Sequence, residues 1–474
     1  MKYFVRENQL QKFDLIVIGG GSAGLKAART VAKAGKRVAV AEEKALGGEC
    51  FWAGCVPTKA MIRAAQVWHL VKDAEKFGIS VEVKSQDYLK ALEYKAAVIR
   101  QVSGDGPEDA GLSKLGASYY PTRAHFVSPH EVKIGDETIY GEQILLTTGT
   151  VPAIPEIPGL LEAGFITNRE AVDLPYLPKR LVVLGSGPIG VEFAQTFRRF
   201  GSEVTLVEKN PHALFREDSQ IAAIATECLE SEGIRVIANA RTVQVSVENG
   251  EKIIHVLHKV HSSDTGEFTE ETLLLPCDTI LVSIGRNAAV ESLNLPAAGL
   301  THSGKRLKVD PYLRTDVPHI WAAGDISSKF LFTHVASYEG RIVSNNLLGK
   351  RLIPVDYRVI PRCTYIDPEI ASIGLTEKET QATGNPYDLY EFPFAELDRA
   401  VLHGDSRGIV KLIADARDGQ ILGAHIIGHE ASSLLGEVAL CMQNRLPVSA
   451  ISSTMHAYPS FPEAVEAAVL YGPD

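Results

Sequence analysis

Hydrophobic positions in this chain come in short bursts punctuated by glycine. Residues 13–18 (FDLIVI) form an apolar, β-rich run that ends in Gly19, Gly20 and Gly21, after which Ala and Leu recur at helical spacing up to Gly35. The pattern predicts a strand, a glycine turn and a helix. A second apolar run at 37–41 (RVAVA) ends in Glu42, so a βαβ unit closes on an acid 23 residues after Gly19. The same succession recurs downstream: an apolar run at 181–184, the turn Gly185, Gly187 and Gly190, a helix to Phe200, a strand at 204–207, and Glu208. Gly185 and Glu208 are again 23 residues apart.

One GxGxxG is weak, because glycine turns are common in loops. Two copies, each after a strand, before a helix and with an acid at matching distance, carry the context the motif requires. Gly19, Gly21 and Gly24 in the first copy, and Gly185, Gly187 and Gly190 in the second, let backbone approach a pyrophosphate. The helix N-terminus supplies unpaired N–H groups and positive potential, and the acid accepts ribose hydroxyls. Two dinucleotides are implied.

The repeat extends further. Turn-rich alternating segments at 117–140 and 234–275 predict small antiparallel sheets, and each is followed by one more strand, 142–149 (EQILLTTG) and 278–285 (DTILVSIG). Thr148 and Gly149 end the first of these, and Gly285 with Arg286 the second; all four are candidate cofactor contacts. Beyond Gly349, strand signals at 408–413 and 421–427 precede a helical stretch at 432–444. The expected fold is α/β: two Rossmann-like dinucleotide-binding domains plus a C-terminal α+β domain, with boundaries at 1–152, 153–277, 278–350 and 351–474.

Composition narrows the function. The 474 residues suggest about three domains, and 45% hydrophobic with 22% charged residues is ordinary for a folded globular chain. With 48 basic against 58 acidic residues and a net charge of −10, no Lys/Arg run marks a nucleic-acid binder. No stretch reaches the ~18 apolar residues of a membrane span, and the first residues build no signal core, so a cytoplasmic location without a membrane partner is expected. Six cysteines are too few for a secreted disulfide framework. In a reducing compartment a close pair is catalytic or metal-binding, and Cys50 and Cys55 are such a pair.

They lie in 46–59 (LGGECFWAGCVPTK), ahead of a helical pattern carrying Ala60, Ile62 and Ala64. Structural zinc wants four ligands, and no second Cys/His pair stands at zinc spacing, so no metal site is expected. Residues at i and i+5 on a straight helix point ~140° apart, so a bridge demands a distorted helix start, where Gly54 and Pro57 fit. That placement also lowers a thiol's pKa.

GGxC-x4-C-VPxK between two nucleotide-binding units resembles the FAD-dependent pyridine nucleotide:disulfide oxidoreductases, which include dihydrolipoamide dehydrogenase, glutathione reductase and mercuric reductase. Matches at 19–24, 46–59, 185–190, 321–326 (WAAGDI) and 333–340 (THVASYEG) spread the resemblance over nearly the whole chain. It implies FAD on 1–152 and 278–350, held by the first glycine turn with Gly48, Glu42 on the adenosine ribose and Asp325 near the ribityl chain and phosphates. It implies NAD(H) on 153–277 and a homodimer built through 351–474. Cys55 becomes the flavin-facing thiolate, Cys50 the sulfur that exchanges with substrate, and Lys59 the partner of Glu192 beside the isoalloxazine. Glu208 favours NAD(H), since a carboxylate repels a 2′-phosphate; Arg216, eight residues on, softens that preference.

The resemblance breaks at the C-terminus. Family members that reduce disulfides pair a His with a Glu five residues later, contributed across the dimer. Here the segment is 456–463 (HAYPSFPE), and five before Glu463 stands Tyr458, while His456 sits two positions earlier. A phenol with a reference pKa of about 10 is about one part in a thousand ionised at pH 7, whereas imidazole near 6.5 is mostly a free base. Efficient dihydrolipoamide oxidation is therefore not expected. Mercuric reductase carries Tyr at this place, but the C-terminal VLYGPD lacks that enzyme's vicinal cysteines. Phe51 and Trp52 replace smaller or polar residues between the cysteines. The expected activity is that of an NADH:disulfide/dithiol oxidoreductase, electrons passing from NADH through FAD and the Cys50–Cys55 disulfide to an external acceptor. A small-molecule or protein-bound disulfide or dithiol is the expected substrate, and the direction is reversible with a dithiol donor. The alternatives are a metal-ion reductase and a non-catalytic flavin redox sensor.

Overall fold

Strand Gln11–Ile18 is the spine of a parallel sheet ordered Ser118–Tyr120, Val38–Ala41, Gln11–Ile18, Glu137–Leu146, Ile320–Ala322. The computed structural model describes residues 10–104, 109–261 and 268–473, which divide into two units. The first unit is assembled from 1–57, 97–153 and 286–356; the second from 58–96, 154–285 and 357–474.

In the first unit, Leu15, Ile16, Val17, Val38, Ala39, Val40, Ile144 and Leu145 are all essentially inaccessible, as expected for parallel strands covered on both faces. Helix Ser22–Lys33 covers one face with Ala23, Leu25, Ala27, Ala28 and Val31, and helix Thr333–Leu348 crosses it closely. A Cβ on Gly340 would stand 2.4 Å from the Ala23 carbonyl oxygen, so the close crossing depends on that glycine. The antiparallel strands predicted over 117–140 do not form a separate sheet. Ala124–Phe126 and Glu131–Ile134 continue the main sheet, because Glu137–Leu146 is long enough to serve both the meander and the parallel core.

The second unit repeats the plan with a parallel sheet ordered Arg235–Ile237, Glu203–Val207, Arg180–Leu184, Thr279–Val282. Here the antiparallel strands Ala240–Glu248, Glu251–His261 and Phe268–Cys277 do stand apart as their own three-stranded sheet; residues 262–267 of the predicted segment lie outside the described chain. The same unit contains a five-stranded antiparallel sheet, Arg362–Thr364, Glu369–Gly374, Ile421–Gly428, Ile409–Asp415 and Tyr387–Pro393, packed on helix Ala431–Gln443 around Phe394, Leu412, Ile426 and Leu434.

Thr279–Val282 pairs with Arg180–Leu184, so the second nucleotide sheet runs past residue 277 and the chain changes unit at Gly285. Residues 58–96 pack with the second unit: the Tyr88 ring lies 5.4 Å from that of Phe200 and 6.3 Å from that of Phe197, and the Lys95 ammonium, 4% exposed, bonds Asp173 and the Val172 carbonyl. The helical pattern at Ala60, Ile62 and Ala64 reported the first helix of this segment but not what it covers, and helix Tyr88–Ser103, which carries Tyr88 and Lys95, was not read from the sequence.

Candidate functional site

Strand Gln11–Ile18 delivers the chain into Gly19, whose φ of +107° suits only glycine, and Gly21 then caps helix Ser22–Lys33 with extended backbone. No side chain caps that helix and its first turn holds no acid, so its leading N–H groups are available to an anion. A Cβ on Gly24 would sit 2.1 Å from the Gly19 carbonyl oxygen. Glu42 braces the turn: one oxygen accepts the Gly20 N–H at 2.8 Å and the other the Lys44 N–H at 2.9 Å. A cradle closed to side chains, a bare helix start and a carboxylate with acceptor positions to spare fit the adenosine and pyrophosphate of FAD.

The cysteine loop lies on that cradle. Gly47 donates its N–H to the Gly20 carbonyl at 2.9 Å, and a Cβ on Gly48 would be 2.9 Å from the Gly21 Cα. Cys50 lies on the single turn Glu49–Trp52, and Cys55 opens helix Cys55–Lys72, the distorted start expected from Gly54 and Pro57. Both are thiols here. A hydrogen bond to Cys55, reinforced by burial, pushes the Cys50 thiol well above the usual range. Thr333 Oγ1 lies 3.5 Å from Cys55 Sγ. Trp52 Nε1 donates to the Leu46 carbonyl at 3.0 Å and fixes an indole that is 41% exposed.

Thr148 hydroxyl donates to the Ala289 carbonyl, and Gly149 turns at φ +70° beside it. Arg286 reaches Glu49 Oε1 at 2.7 Å and Thr150 Oγ1 at 2.8 Å, and the Thr150 hydroxyl in turn donates to Asp325 Oδ2 at 3.3 Å. Burial raises the Asp325 carboxyl and Arg286 opposes the rise. Asp325, Arg286, Thr150 and Glu49, which neighbours Cys50, thus form one polar chain in the first unit. Sequence reasoning missed Glu49, Thr333 and Glu339. Glu339, fully buried, accepts the Gly324 N–H at 2.6 Å and so orients the WAAGDI segment; the only available signal was its place in THVASYEG.

The second unit holds the other predicted residues. Gly185 turns at φ +95° against the Ser283 carbonyl, Gly187 caps helix Pro188–Phe200, and a Cβ on Gly190 would lie 2.1 Å from the Gly185 carbonyl oxygen. The Glu208 carboxylate faces this turn. Gly285 ends the unit at φ +134°. Lys59 Nζ stands 2.7 Å from Glu192 Oε2 and 4.6 Å from the Tyr365 ring centre. Burial lifts the nearby Cys363 thiol and Tyr365 phenol to about 12, so both stay protonated at neutral pH. No sequence signal pointed to either.

At the C-terminus the predicted trio does not assemble. Tyr458, 73% exposed, donates its hydroxyl to Asp398 Oδ2 at 2.8 Å, and that carboxylate raises the phenol above its ordinary value. Glu463 instead accepts the Ser460 N–H at 2.6 Å. The His456 side chain, 6% exposed, is enclosed: Nε2 faces Glu437 at 3.0 Å, and Nδ1 faces the Thr454 carbonyl at 2.9 Å and Glu466 at 3.3 Å. Among the described residues no group of three or more His, Cys, Asp or Glu is arranged to hold a metal, and no helix is long and apolar enough to cross a membrane.

Residues 13–340 match the pyridine nucleotide-disulphide oxidoreductase family and 360–469 its dimerisation domain. The chain is 35% identical to a dihydrolipoyl dehydrogenase of Chlamydia pneumoniae, across 96% of its own length and 95% of the relative's. It is 31% identical to a mercuric reductase of Staphylococcus aureus, across 97% of itself and 82% of that protein. The HOCl-induced flavoprotein disulfide reductase RclA from Escherichia coli superposes with a TM-score of 0.84 at 29% identity, covering 96% of this chain and 98% of that one.

Proposed function

The chain belongs to the pyridine nucleotide-disulphide oxidoreductases, FAD- and NAD(P)H-dependent enzymes, and from that premise we propose that it reduces an external disulfide through the Cys50–Cys55 couple. The observation that carries this reading is the hydrogen-bonded thiol pair at a helix start, seated on the first glycine cradle. The flavin, when bound, relays an electron pair from reduced nicotinamide to the disulfide.

The protein's own groups do the rest. The first cradle, Glu42 and Asp325 hold FAD, and the second turn holds the nicotinamide dinucleotide. Two electrons and one proton break the Cys50–Cys55 bond, leaving the Cys50 thiol and a Cys55 thiolate favoured by the helix N-terminus. Cys50, deprotonated as it attacks, bonds one sulfur of the substrate disulfide and releases the other as a thiolate. Cys55 then attacks Cys50, frees the second thiolate and restores the disulfide; protons from solvent complete both products. Lys59, fixed by Glu192, supplies a positioned cation. The dimerisation domain supports a homodimer, and the reducing chemistry suits a cytoplasmic setting.

Anaerobic titration of the flavin-loaded protein with NADH tests the reading. A long-wavelength thiolate-to-flavin absorbance develops at two electrons, disappears in Cys55→Ser and survives in Cys50→Ser. Its persistence in Cys55→Ser would reverse the thiol assignment. A second reading, metal-ion reduction, is favoured by the exposed Tyr458 hydroxyl. Hg(II)-dependent NADH oxidation lost in Tyr458→Phe, without lipoamide or other disulfide turnover, would favour it. No turnover with disulfides, quinones or Hg(II) would point to a redox sensor.

A further inference from the structure

The two βαβ units align at one constant offset: Gly20 answers to Ser186, Gly24 to Gly190, Glu42 to Glu208 and Lys44 to Asn210. In the first copy each Glu42 oxygen accepts one backbone N–H, from Gly20 and from Lys44. The second copy keeps both bonds, Ser186 N–H at 3.0 Å and Asn210 N–H at 2.9 Å. The two changed side chains then add one each, the Ser186 hydroxyl at 2.8 Å to Oε2 and Asn210 Nδ2 at 2.6 Å to Oε1. A carboxylate has about four acceptor directions, and in Glu208 all four are engaged. The residue is 7% exposed, and although burial opposes its charge, these donors hold it below the usual carboxylate range.

We propose that the second nucleotide site accepts NADH and NADPH with similar affinity, because Ser186 and Asn210 seal the carboxylate that would otherwise select the 2′-hydroxyl. The proposal deepens the reading above and rests on the second glycine turn being the nicotinamide site. A ribose hydroxyl reaching Glu208 displaces a hydrogen bond the protein already makes, so the exchange nets little. An open carboxylate would reward that hydroxyl with a charge-assisted bond worth about tenfold or more in affinity. Glu208 keeps its charge, but the positive ends of four donor dipoles oppose its field, and Lys209 and Arg216, both exposed on the same loop, supply the cations that offset its repulsion of a 2′-phosphate. The preference for NAD(H) expected from Glu208 alone is thereby cancelled.

The test is calorimetric titration of oxidised, flavin-loaded enzyme with NAD+ and with NADP+, which needs no turnover. The two dissociation constants are expected within about tenfold of each other. Ser186→Gly with Asn210→Ala opens Glu208 and is expected to move their ratio toward NAD+ by about tenfold or more; each single variant moves it the same way, with flavin absorbance reporting the fold. A parent preference for NAD+ beyond about tenfold, or a ratio unmoved in the variants, overturns the proposal. Binding of neither nucleotide overturns the assignment of the site itself.

Discussion

Lys59 Nζ lies 2.7 Å from Glu192 Oε2 while the other Glu192 oxygen accepts the Tyr365 N–H at 2.9 Å, so a carboxylate only 5% exposed is balanced by one cation and one backbone dipole. Removing the cation alone leaves a buried charge short of a partner. Lys59→Met is expected to cost about 1–3 kcal/mol in urea unfolding and to slow reduction by NADH at least tenfold in stopped flow. Glu192→Gln, which keeps an acceptor for Tyr365, costs less stability. A Lys59→Met enzyme reduced at the parent rate would place Lys59 outside the site.

On the proposed reading the two glycine cradles hold different nucleotides, FAD on the first and the nicotinamide dinucleotide on the second. At Gly24 and at Gly190 a Cβ would come within 2.1 Å of a backbone carbonyl, closer than real contacts allow, so the turn and its helix must part. Gly24→Ala is expected to purify without flavin. Gly190→Ala is expected to retain flavin, with NADH affinity reduced by more than tenfold. Absorbance at 450 nm and nucleotide titration read the two outcomes, and a colourless Gly190→Ala protein would refute the division of roles.

Much of this was legible because glycine spacing and β-rich runs report local geometry, which a parallel βαβ unit repeats. The strands around Gly19 and Gly185, the helix start at Cys55 and the Lys59–Glu192 partnership all follow from local signals or from motif position. Tyr365 did not, because it acts through contacts with segments distant in the chain; Thr333 and Glu339 stood in THVASYEG without a role, because the groups they touch, Cys55 and Gly324, lie outside that segment. The seal on Glu208 was hidden for a different reason: Ser186 and Asn210 are ordinary loop residues until their side chains are seen to converge on one carboxylate.

Tyr458 carries the consequence for dithiol chemistry. Its phenol bonds Asp398 and titrates above its ordinary value, so at neutral pH it holds a proton and is a poor base. Tyr458→His is expected to raise dihydrolipoamide oxidation at least tenfold near pH 8, measured as NAD+ reduction. An unchanged rate across pH would assign proton transfer elsewhere.

His456 gives stability a pH signature. Both ring nitrogens face acceptors, so both donate, and although burial opposes the charge, Glu437 and then Glu466 raise the imidazole above its usual value. A raised folded-state value stabilises fully below about pH 6.5 and is lost as pH climbs through that raised value. His456→Gln should therefore cost about 2 kcal/mol at pH 6 and markedly less at pH 9 in denaturant unfolding. Equal losses at both pH values would contradict a charged imidazole.

Strand Ile320–Ala322 lies beside Ile144, Leu145 and Leu146. During synthesis those three residues must wait for their neighbour while the whole of the second parallel sheet, 180–282, leaves the ribosome. At about 5–20 residues per second the delay is roughly 10–35 s, with an apolar strand edge open to misplaced pairing throughout. The later-encoded nucleotide fold can be finished first, and nascent chains that stall before residue 320 are the ones a cell must shield or destroy.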